Sequence, residues 1–396
     1  MTATHRRDPL PQTPNSPRIA TLFVPSIALE ASWRRVAASV LRRSLGLHRG
    51  QTVVLDTSAH TLPVVEVFAS EARRLGIRPS VMLATRSIFD PRSSATPADQ
   101  TAISPSEVAS IKACDGYVFF PPSIEDRDRQ DELTNEYRRA LAGRQREWSQ
   151  LLQRESVPSV YLLGGDATVT SARRFDVDPK TWFRESLRAS LVNPARMRKS
   201  SAHVARSLTR GRRILIQHPN GTHLELGLAG RPPTVDDGMV SRQDLLDGRF
   251  GTTVPGGFLA IPLDERIAEG HFVSNRPARF RHGSISGLVW SFRDGRLERY
   301  LVKRGRSRFE KEYASAGPEK TRAAVLVIGL NPEIHDFPLA EDLEQGLVTL
   351  LIGHNDDYGG RVSGSFRQFA MIRGADLLVD ERPVLSGGRF VAPRPS

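Results

Sequence analysis

The sequence has a single cysteine, Cys114, so no disulfide can form within the chain, and the scarcity fits a reducing cytoplasm. It has no apolar run of membrane-spanning length; the longest hydrophobic stretches suit buried strands, and no membrane partner is expected. Residues 1–18 contain no apolar block of the kind a signal peptide carries. They are polar and proline-rich, and read as a disordered leader. Lysine is nearly missing: of 56 basic residues only six are lysine, against a net charge of +12. Arginine grips carboxylate and phosphate in bidentate fashion, which fits an anionic partner. GC-biased codon usage produces the same imbalance across a whole proteome. No zinc-finger spacing, RNP aromatic pattern or basic zipper accompanies the arginines, so nucleic acid is not indicated as a partner.

What is present is a soluble globular pattern on 396 residues, enough for two domains. The first half alternates helices and strands. Residues 29–45 carry apolar residues near helical spacing, 52–56 read as a short buried strand, 60–75 as a helix closed by Gly76, and 79–84 as a second strand. Ser104-Pro105-Ser106-Glu107 predicts a capping box with proline at the first helical position. A strand at 117–120, a long polar helix at about 126–154 and a strand at 159–163 follow. Gly164-Gly165 lacks phosphate-loop spacing and reads as a turn. Residues 179–208 read as a helical connector. From Arg213 the texture changes to short strands and tight turns: Pro219-Asn220-Gly221 predicts one hairpin, and Asp294-Gly295, between strands expected at 284–292 and 297–302, predicts another. The expectation is an α/β N-terminal domain with a mostly parallel sheet plus a mixed α+β C-terminal domain, divided as 1–18, 19–204 and 205–396.

Four segments of the second half carry a further signal. They are Val254-Pro-Gly-Gly-Phe258, Val325-Leu-Val-Ile-Gly-Leu-Asn331-Pro332, Gly346-Leu-Val-Thr349-Leu-Leu-Ile-Gly-His354-Asn355, and Ser365-Phe-Arg-Gln368-Phe-Ala370. Their order resembles the motifs of the dimetal aminopeptidases of the aminopeptidase T / aminopeptidase S type, and Pro219-Asn-Gly-Thr222 and Asp236-Asp-Gly238 resemble turns ahead of the first of them. The resemblance implies an aminopeptidase T-like two-domain architecture, a homodimer and a peptide-sized cleft in the C-terminal domain. In that family the motifs supply Glu, Glu, His, His and Asp to two metal ions. Here Phe258, Val325, Thr349, Gln368 and Ala370 occupy those positions. Three have no donor atom and two offer only neutral polar groups, whereas paired divalent ions need several carboxylates and imidazoles. The resemblance therefore implies no metal and no cofactor.

A mononuclear iron branch, the dihydroxypyridine ring-cleaving dioxygenases, is also similar; His271 lies at the offset of its first His, but the rest of its ligands are missing. The richest polar cluster near the lost centre is His354, Asp356, Asp357 and Tyr358, with Tyr358 close to the offset of a tyrosine that contacts the family's reaction centre. The same stretch also reads as an ordinary Gly/Asp turn. Arg367, inside the fourth motif, is the cation expected to meet a peptide carboxylate, unless strand alternation turns it away from Gln368. The candidate cleft is thus Phe258, His271, Val325, Thr349, His354, Tyr358, Arg367, Gln368 and Ala370. The leading expectation is a metal-free aminopeptidase-like protein that binds a peptide or amino-acid-like ligand, assisting a tailoring enzyme in maturing a modified peptide product. The alternatives are a metal-independent enzyme acting on a peptide or small amide through His271, His354, Asp356, Asp357 or Tyr358, and a metallo-aminopeptidase with relocated ligands.

Overall fold

The structure is a computed structural model that describes residues 27–84, 95–123, 128, 133–163, 169–280, 283–364 and 366–391. The leader, the Gly164-Gly165 turn, most of 126–132 and Ser365 lie outside the described residues. The first half supplies β1 (Thr52–Ser58), β2 (Arg78–Ala84), β3 (Gly116–Phe119) and β4 (Ser159–Leu162), all parallel, in the order β2-β1-β3-β4. The expected helices precede and separate them. Ile27–Ser39 continues through a π turn at Val40–Ser44, and Leu62–Arg74 packs beside it. The Ser104 hydroxyl accepts from the Glu107 amide while Glu107 reaches back to the Ser104 amide, so the capping box forms as its spacing dictates. Thr134 caps the helix Asn135–Arg154.

The connector is two helices, Pro179–Ala189 and Pro194–Arg210, each with a side-chain cap (Asp178, Asn193) and proline at its start. Met197, Val204 and Leu208 on the second sit in the large core cluster over the C-terminal sheet. The second half continues with β5 (Arg213–His218), β6 (Thr222–Leu228), β7 (Thr234–Asp236), β8 (Gly251–Val254), β9 (Phe258–Val273), β10 (Ala278–Phe280), β11 (Gly283–Ile285), β12 (Val289–Arg293), β13 (Arg296–Leu301), β14 (Ala323–Gly329), β15 (Val348–Gly353), β16 (Arg367–Ile372), β17 (Asp376–Val379), β18 (Arg382–Ser386) and β19 (Arg389–Phe390). Both predicted hairpins form, β5–β6 and β12–β13. The strand expected at 284–292 is broken, because Ser284 and Ile285 pair with β10 instead.

The large sheet is antiparallel, in the order β16-β15-β14-β9-β6-β5-β17-β18-β19, with β12 and β7 joined to β9. β9 is its spine: one end pairs with β14 and β7, the other with β6 and β12. The division near residue 205 is not a clean cut. β8 leaves the second half and pairs parallel with β4, completing a five-stranded first sheet. Ile334, Phe337, Ala340 and Leu343 likewise pack into the N-terminal core. Among the described residues no helix is long and apolar enough to cross a membrane.

Candidate functional site

The site lies where β8 hands the chain to β9. A Cβ on Gly256 would come within 2.3 Å of the Gly238 amide nitrogen, so only glycine lets these backbones touch. The Gly257 amide donates to the Asp236 carbonyl at 2.9 Å. The two turn motifs read separately in the sequence therefore form one joint. Asn331 locks it: its buried amide donates to the Gly256 carbonyl at 2.8 Å and to the Ala189 carbonyl at 3.2 Å.

Beyond this joint the pleat divides the motif residues between two faces. Cross-strand pairing sets Ala260, Val327, Thr349 and Met371 in one row, and Pro262, Val325, Leu351 and Phe369 in the next. Residues directly opposite share a face. This is the face on which the sequence placed the candidate cleft, with a buried apolar floor of Ala260, Ala324, Val325, Val327 and Leu351. Phe258, Tyr358 and Phe369, all part-exposed, pack against it. Phe258, Val325 and Thr349 are thus brought to one face of the sheet.

Gln368 and Ala370 are not. Gln368 pairs with Ile352 and Ala370 with Leu350, on the face that carries the main hydrophobic core. Their placement in the cleft is corrected by strand alternation: on β16 it is Arg367 and Phe369 that share the face of Val325 and Thr349. Taken by motif or by orientation, this strand offers no metal ligand, since the first choice is an amide and a methyl and the second a cation and a phenyl ring. His271 is also outside the cleft. It sits near the far end of β9 beside His223 and Ser291, with Nδ1 2.9 Å from the Ser291 hydroxyl. Thirteen residues of strand at about 3.3 Å each separate it from Phe258.

His354, Tyr358 and Arg367 do converge, with Asp356 and Asp357. Arg367 Nη1 donates to Asp357 Oδ2 at 2.9 Å, and Nη2 bonds to Asp357 Oδ1 as well. The same guanidinium donates to the His354 carbonyl at 3.1 Å and lies 5.3 Å from the Tyr358 ring centre. Arg367 is therefore already paired, rather than poised for a ligand carboxylate. Among the described residues one group of three potential metal ligands converges, His354, Asp356 and Asp357. The Arg367 guanidinium lies against it, with Nη2 3.1 Å from His354 Nδ1, and like charge opposes a cation there. Ligand relocation to this cluster has no support in that geometry.

Sequence reading singled out neither Asp236 nor Asp342 as a site residue. Asp236 ends β7 opposite Phe258, and its carboxylate accepts from the Gly238 and Thr253 amides and the Thr252 and Thr253 hydroxyls. Burial nevertheless raises its pKa. Asp342 lies on a 3-10 turn, Glu341–Leu343, just ahead of β15. Burial, with the charge of Asp236 added, pushes it up to about 6. Both charges, together with Asp357, help burial push the Tyr358 hydroxyl up to about 12. The sequence signal was faint: Asp342 is one acid among 44, in a segment without periodicity. Cys114 is part-buried and its thiol is pushed up to about 11 by burial, as expected of an inert cysteine.

Two solved structures share this architecture. Wild-type AmpT from Thermus thermophilus superposes with a TM-score of 0.68 at 15% identity, over 92% of this chain and 100% of its own. A 2,5-dihydroxypyridine dioxygenase from Pseudomonas putida superposes with a TM-score of 0.60, also at 15% identity, over 93% and 99%. No family model matches the sequence, and no curated protein matches it either. The fold is aminopeptidase T-like, with an α/β domain and a largely antiparallel domain. Because the same frame serves AmpT and a dioxygenase, it assigns no reaction by itself.

Proposed function

We propose that the chain is a metal-free aminopeptidase-like protein that holds a peptide over the former catalytic face of the large sheet, as a homodimer, and presents it to a tailoring enzyme. The observation that supports this is the floor itself. Val325 and Thr349, at positions the motif resemblance implies for metal ligands, share a face with Ala260 and Val327, and strand alternation puts Arg367 and Phe369 on that face too. A buried apolar floor ringed by part-exposed Phe258, Tyr358 and Phe369 suits apolar side chains of a ligand. Elemental analysis of dialysed protein tests the metal-free half: about one or more retained zinc, manganese, cobalt or iron per chain overturns it. Calorimetry with short apolar peptides tests the binding half, and an absence of heat at millimolar peptide overturns that.

A further inference from the structure

We propose that His223 and His271 form a surface binding site for a late first-row divalent ion of the zinc class, separate from the candidate cleft and independent of the peptide-binding reading.

The sheet register builds the pair. His223 on β6 lies directly opposite His271 on β9. Residues paired in this way share a face, with Cβ atoms about 4.5–5.5 Å apart. Leu224, Phe272 and Trp290 alternate with this row of residues and belong to the main hydrophobic core. Both imidazoles therefore stand on the solvent side of the sheet, and both are exposed.

Two neighbours in the same row set how the rings turn. Gln217 on β5 pairs with His223, and Ser291 on β12 pairs with His271. The Gln217 side-chain amide lies 3.3 Å from His223 Nδ1, and the Ser291 hydroxyl 2.9 Å from His271 Nδ1. Each ring thus engages, through Nδ1, the strand outside the pair. Nδ1 and Nε2 lie on opposite edges of an imidazole, so turning both Nδ1 atoms outward turns both Nε2 atoms inward, over the gap between β6 and β9. A zinc ion binds imidazole nitrogen at about 2.0–2.1 Å, so two such nitrogens stand roughly 3.3 Å apart around it. Side chains rooted on opposed Cβ atoms span that separation.

The outer contacts also suit metal ligands chemically. A ligating histidine donates its other ring N–H to an acceptor, which fixes the ring and raises its basicity. The Ser291 hydroxyl accepts such a proton directly, and Gln217 accepts it through its amide oxygen once the amide turns over. Carboxylates lie one step along the same face, where Glu225 pairs with Glu269. Arg213 holds Glu225, whereas Glu269 accepts the Asp294 amide with one oxygen and has the other for an ion. Arg293, on β12, is paired with Glu298. Imidazole suits zinc, copper and nickel, whereas magnesium and calcium favour oxygen. With two histidines and water completing its shell, the ion exchanges freely and leaves on dialysis, so the test of a metal-free cleft is unaffected.

The test is calorimetric titration of the full chain with zinc chloride at about pH 7.5, after dialysis first against a chelator and then against chelator-free buffer. The wild type should take up one zinc ion per chain in a saturable step. His223→Ala and His271→Ala should each weaken that step by about tenfold or more, and Ser291→Ala, which removes only the outer brace, by about tenfold. Because these side chains lie on the surface, each variant should melt near the wild-type temperature without zinc. No saturable uptake by the wild type, or a step that survives either histidine substitution, overturns the proposal. So does a step that His354→Ala removes and His223→Ala does not, since the ion would then sit on the cluster beside Arg367. Zinc retained by His223→Ala through the chelator dialysis would instead count against the metal-free cleft, so the two readings fail separately.

Discussion

Replacing Glu265 by glutamine should destabilise the protein by about 3 kcal/mol, because this carboxylate ties the turn that carries Tyr358 to the spine of the large sheet. Glu265 sits on β9 and accepts from Arg231 Nη1 at 2.6 Å and Nη2 at 3.1 Å, from the Asn355 side chain at 2.8 Å and from the Arg361 amide at 3.0 Å. Asn355 in turn donates to the Ala324 carbonyl and accepts from the Val362 amide, so the loop from 355 to 362 is fastened through one acid. The side chains of Arg231 and Glu265 are 14% and 11% exposed. Removing one charge of a buried pair leaves the other desolvated, at about 3–5 kcal/mol. The lower end applies because Arg231 keeps its bond to the Leu263 carbonyl and a glutamine oxygen can still accept. Burial alone would push the Glu265 carboxyl up, but Arg231, the Arg361 amide and Asn355 hold it at about 2, against 4.5 unperturbed. The stability this lowered pKa confers is full above 4.5 and lost as pH falls toward 2. Water at the edge of the pair reduces its worth to roughly 1–2 kcal/mol. Urea unfolding at pH 7 and across pH 2–5 measures both effects, and the variant should lack the acid limb. A loss under about 1 kcal/mol at pH 7, or an Arg231→Met/Glu265→Leu double variant whose cost equals the sum of the singles, refutes the reasoning.

Three further outcomes are expected. Phe258→Ala should cost about 2–3 kcal/mol by thermal or urea unfolding, less than the 3–5 of a fully buried phenylalanine because Phe258 is part-exposed; an unchanged melting temperature would remove it from the packed floor. Gln368→Met should stabilise by roughly 1–2 kcal/mol, since both polar atoms of the fully buried Gln368 side chain lack partners among the described residues; destabilisation in the same assay counts against that accounting. Asp56→Asn should raise stability at pH 7.5 by about 1–2 kcal/mol and change little at pH 4. Burial raises Asp56 to about 6 despite the Tyr117 hydroxyl bonded to it, so its favourable contribution exists below 3.8 and is lost as pH rises through 6. A variant no more stable than wild type at pH 7.5 contradicts it.

Local chemistry made much of the fold legible. Ser104 and Glu107 cap a helix because of their own spacing, and Asn220-Gly221 turns a hairpin because glycine tolerates the turn. The two-domain architecture followed from alternation of element types. The site was legible only in part. Phe258, Val325 and Thr349 share a face because their strands pair in register, and their motifs were visible as strings. Which side of β16 faces the cleft depends on Leu350 and Ile352 across the strand, so Gln368 and Ala370 were misplaced by one residue of alternation. His271 was misplaced because a single 16-residue strand, interrupted in sequence by Pro262 and Gly270, does not announce its length. Asp342 gains its character wholly from burial and from Asp236, both products of tertiary packing.

The return of β8 to the first sheet has a consequence for synthesis of the chain. A ribosome that has released only the first 204 residues exposes a four-stranded sheet whose β4 edge is bare, and whose core lacks Val254, Ile334, Phe337, Ala340 and Leu343. The N-terminal domain cannot close until about 140 more residues have emerged, so an open apolar edge persists for roughly 7–28 s at ordinary elongation rates. Vectorial folding, domain after domain, is denied to this architecture. Its two halves must mature together, since Leu343, the last residue of the shared core, emerges well after the joint at Asp236–Gly238 and Gly256–Phe258.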